Sequence, residues 1–308
     1  MTVPIDTPGH AAPAARRVDV VDLLRGLALV LRVLEAARQY FHGAVYEFDP
    51  LDPERTTAAI FATRWVTHVC APILALLAGV SAYLRGAAGA GKADLSRYLA
   101  TRGAWLVVIE ISILTVVRNF ALPPPVLFQA LGATGCAMLA LALLLWLPRP
   151  LVLALGVAAL AGHNLFDRYN WVQDGAVGAV WQLLHGYLYV QRDGQLLLVA
   201  DYALIPWVAV TLAGYGLGPL FSADPGKRDR ALFWLGAGML AAFVILRGAH
   251  LYGDPGPWSA QEDVSRTVMA FLNVEKFPPS LHYVLATLGL IFVLTPLIYL
   301  GGVFYSMD

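Results

Sequence analysis

Arg25, Arg32, Glu35, Gln39 and His42 recur along one apolar segment near the N-terminus, and on a helix they fall within an arc of about 100°. Such a stripe cannot face lipid. Within it Arg32 and Glu35 stand at i, i+3 and are spaced to pair, and Arg38 to His42 at i, i+4 sets a cation beside an imidazole. Arg64 and His68 repeat the i, i+4 spacing in the next apolar segment. Glu110 follows in a third as an expected partner for Arg32 or Arg64, with Arg118 and Asn119 at its far end, and Gly162, His163 and Asn164 close a fifth. These groups suit proton transfer and oxyanion stabilisation. A neutral His68 or His42 could accept a proton or carry an acyl group transiently, because an imidazole titrates near neutrality. Glu35 or Glu110 would orient it, and Arg64, Arg38, Arg118, His163 and the Asn164 amide would bind substrate or a developing oxyanion. A polar zipper between helices would draw on the same residue types.

The elements that must position these groups are membrane helices. Charged residues make up 14% of the 308-residue chain and apolar ones 58%, against about 25% charged in globular proteins. Uncharged runs at 65–84, 121–148, 202–223 and 277–307 each reach the roughly 20 residues that cross hydrocarbon. This excludes secreted disulfide scaffolds and nucleic-acid binders. Cys70 and Cys136 sit inside apolar segments and imply neither a disulfide framework nor a metal site.

Hydropathy and Gly/Pro punctuation predict an all-α, polytopic transmembrane helix bundle of about eight spans, at 19–41, 57–84, 98–118, 125–147, 150–164, 200–221, 231–251 and 279–304. An interfacial or re-entrant helix is expected near 177–190. Residues 1–15, rich in Ala and Pro, read as a disordered tail, and 16–308 as a single domain. With both termini inside, the inner segments hold Arg16, Arg17, Arg85, Lys92, Arg97, Arg102, Arg149, Lys227, Arg228 and Arg230. The outer loops hold only Arg55, Arg168, Arg192, Arg266 and Lys276, so the positive-inside rule places the N-terminus in the cytoplasm of a bacterial inner membrane. Acids and histidines gather on the outer side. The glycine-rich inner loop from Arg85 to Arg102 offers Arg85, Lys92, Arg97 and Arg102 to a phosphorylated cofactor, although it lacks the P-loop frame and basic inner loops are expected in any case.

RRVDVVDLLRGLALVL at 16–31, FATRWVTHVCAPILALLAGVSAYL at 61–84, AGHNLFD at 161–167, LIPWVAVTLAGYGLGPLF at 204–221, LYGDPGPW at 251–258 and FLNVEKFPPSL at 271–281 carry a likeness. Over residues 16–290 the chain resembles bacterial integral membrane relatives of heparan-alpha-glucosaminide N-acetyltransferase. The resemblance implies a multi-helix transferase that moves an acetyl group from cytosolic acetyl-CoA to an amino sugar on the far face through a histidine. The matching positions include Arg64, His68, Glu110, His163, Asn164 and Lys276, which brings Lys276 into the substrate-binding set. The chain departs from those relatives at Glu35-Ala36, where many carry Asp-His, at Gly132, where many carry Trp, and in ending at Asp308 soon after the last span.

The expected function is therefore acyl transfer from acetyl-CoA to a sugar or glycan acceptor, with no metal, with membrane lipid as the surroundings, and with a homodimer left open. A proton-coupled transporter or a non-catalytic scaffold are the alternatives, since carriers also bury charge in the membrane.

Overall fold

A computed structural model describes residues 19–41, 49–52, 54–119, 125–169 and 175–305. The expected tail at 1–15 and His42 lie outside the described residues. The protein is mostly helical. Its first helix, α1 (Asp19–Phe41), inverts the pattern of a soluble helix: Val20, Val21, Leu24, Ala28 and Glu35 are buried, while Leu29, Val30, Val33 and Phe41 are exposed. Apolar side chains point outward, and the carboxylate turns inward.

Next come α2 (Ala58–His68) and α3 (Cys70–Ala87), one apolar rod interrupted at Val69 and opened by the Thr57 hydroxyl, which accepts from the Ile60 N–H. Then follow α4 (Lys92–Ile109), a π-helical turn at Glu110–Leu114, α5 (Thr115–Asn119), β1 (Val126–Phe128), α6 (Ala130–Leu144) and α7 (Arg149–Gly162) with a 3-10 extension, His163–Tyr169. The second half holds α8 (Gly175–His185), β2 (Leu188–Arg192), β3 (Gln195–Ala200), α9 (Leu204–Phe221), α10 (Pro225–Gly248), α11 (Val264–Leu272) and α12 (Leu281–Tyr305).

Among the described residues, five helical segments are long and apolar enough to cross a membrane: Ala58–Ala87, Lys92–Arg118, Arg149–Asp167, Leu204–Phe221 and Pro225–Gly248. Ala130–Leu144 and Leu281–Leu297 are shorter apolar helices. Although α1 has the length, at 23 residues, its charges separate it from that group. The α2–α3 rod and α9 are central, whereas α4 and α10 are largely exposed and present Trp105, Val108, Trp234 and Ile245 outward.

Hydrocarbon supplies no hydrophobic drive between helices, so close backbone approach must do that work. The α3/α9 crossing shows how. A Cβ on Gly79 would strike the Thr211 carbonyl and the Tyr215 nitrogen, and one on Gly214 would strike the Leu76 carbonyl. Larger residues at either position would force the helices apart. The principal core accordingly gathers Leu24 and Ala28 of α1, Ile73 and Leu76 of α3, Val210 of α9 and Tyr283 and Phe292 of α12.

The structure corrects the all-α expectation in one place. Only the first part of 177–190 is helical, and the chain then enters a three-stranded sheet of order β1-β3-β2. β2 and β3 form an antiparallel hairpin with Leu188 opposite Ala200, turned by Asp193 and Gly194 at φ 51 and 78. Two consecutive left-handed residues in an Asp-Gly loop match the twist of paired strands. β1 joins β3 in parallel through Val126 and Leu198.

Glu110 is a second correction. It pairs with neither Arg32 nor Arg64. Buried on the π turn, its carboxylate accepts from the backbone N–H groups of Gln129 (2.6 Å), Leu131 (3.1 Å) and Gly132 (2.6 Å). It thereby caps the start of α6, where free N–H groups and the helix dipole favour an anion. Gly132 is required there, because a Cβ would lie 2.6 Å from the Glu110 carboxylate and 2.7 Å from the Phe128 ring. Glu110→Ala is expected to cost roughly 2–4 kcal/mol by orphaning buried donors, and Glu110→Gln, which keeps an acceptor, clearly less. Thermal unfolding in detergent checks this; equal melting points for wild type and Glu110→Ala would refute the capping role.

Candidate active site

The polar stripe of α1 converges on Glu35. Its carboxylate accepts from Arg32 one turn earlier, from Arg64 of α2 at 2.6 Å, and from Lys276 of the α11–α12 loop at 3.3 Å. Three cations around one carboxylate leave a local excess of positive charge, with Arg64 and Lys276 largely buried and Arg32 half-exposed. Such an excess attracts negative charge.

Each member is placed by separate packing. Arg64 lies on the rod held to α12 by the Tyr283 hydroxyl, which donates to the His68 carbonyl at 2.6 Å, and to α11 by the Trp65 indole, which donates to the Leu272 carbonyl at 3.1 Å. Lys276 depends on a buried pair, Arg247 and Asp254, 3.2 Å apart. The Arg247 guanidinium donates to the carbonyls of Ala270, Phe271 and Asn273, while Asp254 accepts from the Glu275 N–H (3.0 Å) and the Ser280 hydroxyl (2.7 Å). Together they fix the loop on both sides of Lys276.

Burial and the neighbouring Arg64 charge lower the Lys276 pKa to about 8, against the opposing pull of Glu35. Burial likewise raises the adjacent Glu275 carboxyl above its ordinary range, with the Asp254 charge adding to it.

A cavity of about 50 Å³ adjoins the cluster, and its lining includes Arg32, Glu35, Cys70, Tyr202 and Trp207. The volume holds a few water-sized groups and no sugar ring. Sequence reasoning gave Cys70 a purely packing role and did not single out Tyr202 or Trp207.

The remaining expected residues divide. His68 is buried, stands edge-on to Tyr283 with ring centroids 5.5 Å apart, and neither ring nitrogen has a hydrogen-bond partner among the described residues. It does not line the cavity. Arg38 is half-buried near the end of α1. Arg118 donates to the Gln129 side chain, which in turn donates to Asp201 at 2.8 Å, so it belongs to the sheet edge.

His163 and Asn164 enter a second cluster. Asn164 donates to Asp167 (3.0 Å) and accepts from the Leu281 N–H (3.0 Å), and Asp167 also bonds the buried His185 at 3.0 Å. Among the described residues this is the one histidine hydrogen-bonded to a carboxylate. No fixed sequence spacing announces it, because His185 arrives on α8 after a separate excursion of the chain. The loop from Lys276 to Leu281 joins the two clusters.

Arg85, Lys92, Arg97 and Arg102 are exposed around the α3–α4 connection, and Arg85 and Arg102 flank the Tyr98 ring at 3.9 and 5.3 Å. They take no part in the Glu35 cluster.

Apolar helices long enough to cross a membrane, around a cluster of ions on one buried carboxylate, mark an integral membrane protein. The family model described as heparan-alpha-glucosaminide N-acetyltransferase, catalytic, matches residues 17–251, and the chain belongs to that family of membrane acetyltransferases. No curated protein matches the chain. The matched residues hold Arg32, Glu35 and Arg64 but stop short of Lys276, whose contact with Glu35 is seen in the fold.

The Lys276 shift sets a pH dependence. The unfolded chain keeps this proton up to about 10.5, while the folded chain releases it near 8, so the unfolded state binds more protons between those values. Stability should rise with pH across that window, by up to about 3 kcal/mol. Lys276→Met should remove the rise. Melting points of both proteins from pH 7 to 11 check this, and parallel curves would refute it.

Proposed function

We propose that the protein transfers an acetyl group from acetyl-CoA to the amine or hydroxyl of a sugar or glycan acceptor at the non-cytosolic face of a bacterial inner membrane. The observation that carries this reading is the Glu35 hub. Arg32, Arg64 and Lys276 converge on one buried carboxylate beside a cavity of acetyl size, in a chain of an acetyltransferase family.

In the proposed step the acceptor nitrogen attacks the thioester carbonyl, a C–N bond forms, and negative charge gathers on the carbonyl oxygen. The hub cations stabilise that charge, with Glu35 holding them in place. His68, one turn beyond Arg64, takes the amine proton as general base and returns it to the departing CoA thiolate; transient acylation of its ring is the variant. Its two unclaimed ring nitrogens support either role. His42 retains its place as the other histidine candidate. Arg85, Lys92, Arg97 and Arg102 are proposed to hold the CoA phosphates at the inner face, with the N-terminus cytoplasmic.

The Asp167–His185 pair supports a second assignment of the base, because an oriented imidazole is what such a step needs. Purified protein with labelled acetyl-CoA and glucosamine separates the two. Glu35→Gln should lower turnover at least about a hundredfold with binding of CoA retained. His68→Ala should abolish transfer while His185→Ala leaves most of it; the reverse result moves the base to His185. Uptake of sugar into proteoliposomes without any acyl donor, with no labelled product, would replace transfer by transport.

A further inference from the structure

The Glu35 hub leaves positive charge unanswered, and the cavity beside it holds an unclaimed donor. Arg64 and Lys276 share one Glu35 oxygen and Arg32 takes the other, so the hub carries three cations on one anion. Arg64 and Lys276 are largely buried, where charge without a counter-charge is costly. Arg32 and Glu35 both line the cavity, and among the described residues the Arg32 guanidinium bonds only Glu35, through one of its nitrogens.

Tyr202 is the second observation. It lines the same cavity, is 8% exposed, and is held between the rings of Phe277 and Trp207, with centroids 5.2 and 5.3 Å away. Among the described residues its hydroxyl makes no hydrogen bond. The Trp207 indole nitrogen is sealed, whereas the Tyr202 oxygen keeps accessible surface. The Thr134 hydroxyl donates to the Ala130 carbonyl at 2.7 Å, which leaves Tyr202 as the free hydroxyl donor of the lining. Alanine methyl groups form much of the remaining wall, and apolar walls strengthen the attraction between opposite charges. The volume of about 50 Å³ holds roughly three or four water-sized groups, enough for one small anion with part of its water shell.

We infer that this cavity binds a small monovalent anion of the halide class, held between the Arg32 guanidinium and the Tyr202 hydroxyl as the missing counter-ion of the hub. Glu35 borders the same space and opposes the ion, so affinity is set by the excess of three cations over that one carboxylate. The site belongs to the resting protein and stands apart from the transfer reading.

Purified protein in gluconate, an anion too large for the cavity, gives the reference. Replacing gluconate by chloride, bromide or nitrate at constant ionic strength and pH should raise the melting point saturably. The rise should be on the order of 5 °C once the halide reaches about a hundred times its dissociation constant. Tyr202→Phe keeps the ring contacts and removes the donor, so its halide midpoint should weaken about tenfold or more. Glu35→Gln removes the opposing charge and should tighten the midpoint, while Arg230→Gln, exposed on α10, should leave it unchanged. In wild-type crystals grown with bromide, the anomalous signal should lie between Arg32 and Tyr202.

Equal melting points in gluconate and halide, a rise that never saturates, a midpoint unmoved by Tyr202→Phe or moved as much by Arg230→Gln, or a cavity without bromide would each overturn the site. Labelled transfer is measured separately, so loss of this site leaves the enzymatic reading standing.

Discussion

A single carboxylate governs the arrangement of this protein. In a low-dielectric interior an unpaired cation is far more costly than in water, and among the described residues Glu35 is the carboxylate that meets the buried Arg64 and Lys276 together with the half-exposed Arg32. The hub therefore constrains α1, α2 and the α11–α12 loop at once, since none of the three can move without exposing a buried charge. Charge balance is incomplete: one acid cannot neutralise three bases, so the hub carries a local excess of positive charge.

What holds the hub is a second ion pair that never touches it. Arg247 spends its donors on carbonyls of the segment before Lys276, and Asp254 collects donors on either side of that residue. A membrane protein can hold irregular backbone this way only where polar side chains answer every exposed backbone group. The same logic places Glu110 on the first turn of α6, where its charge is met by backbone N–H groups instead of by a cation.

Much of this was legible in the chain. The i, i+3 spacing of Arg32 and Glu35 gives their pair directly, and the apolar runs give the helix that carries Arg64 and the helix that follows the Lys276 loop. Local periodicity, however, cannot tell which buried acid meets which buried base. Glu110 and Glu35 look equivalent by depth, and the difference arises because α6 begins beside the π turn, a tertiary fact. The Asp167–His185 pair and the hairpin at 188–200 were hidden for related reasons. The first joins residues from separate elements, and the second is a short Asp-Gly turn inside a stretch whose apolarity resembles a helix.

The placement of His68 bears on how such a site could work. A fully buried imidazole whose nitrogens bond nothing is tolerated when the ring is neutral, and a neutral ring is the form that can accept a proton. It stands on the same helical face as Arg64, so any motion that opens a path to His68 also moves a guanidinium bound to Glu35.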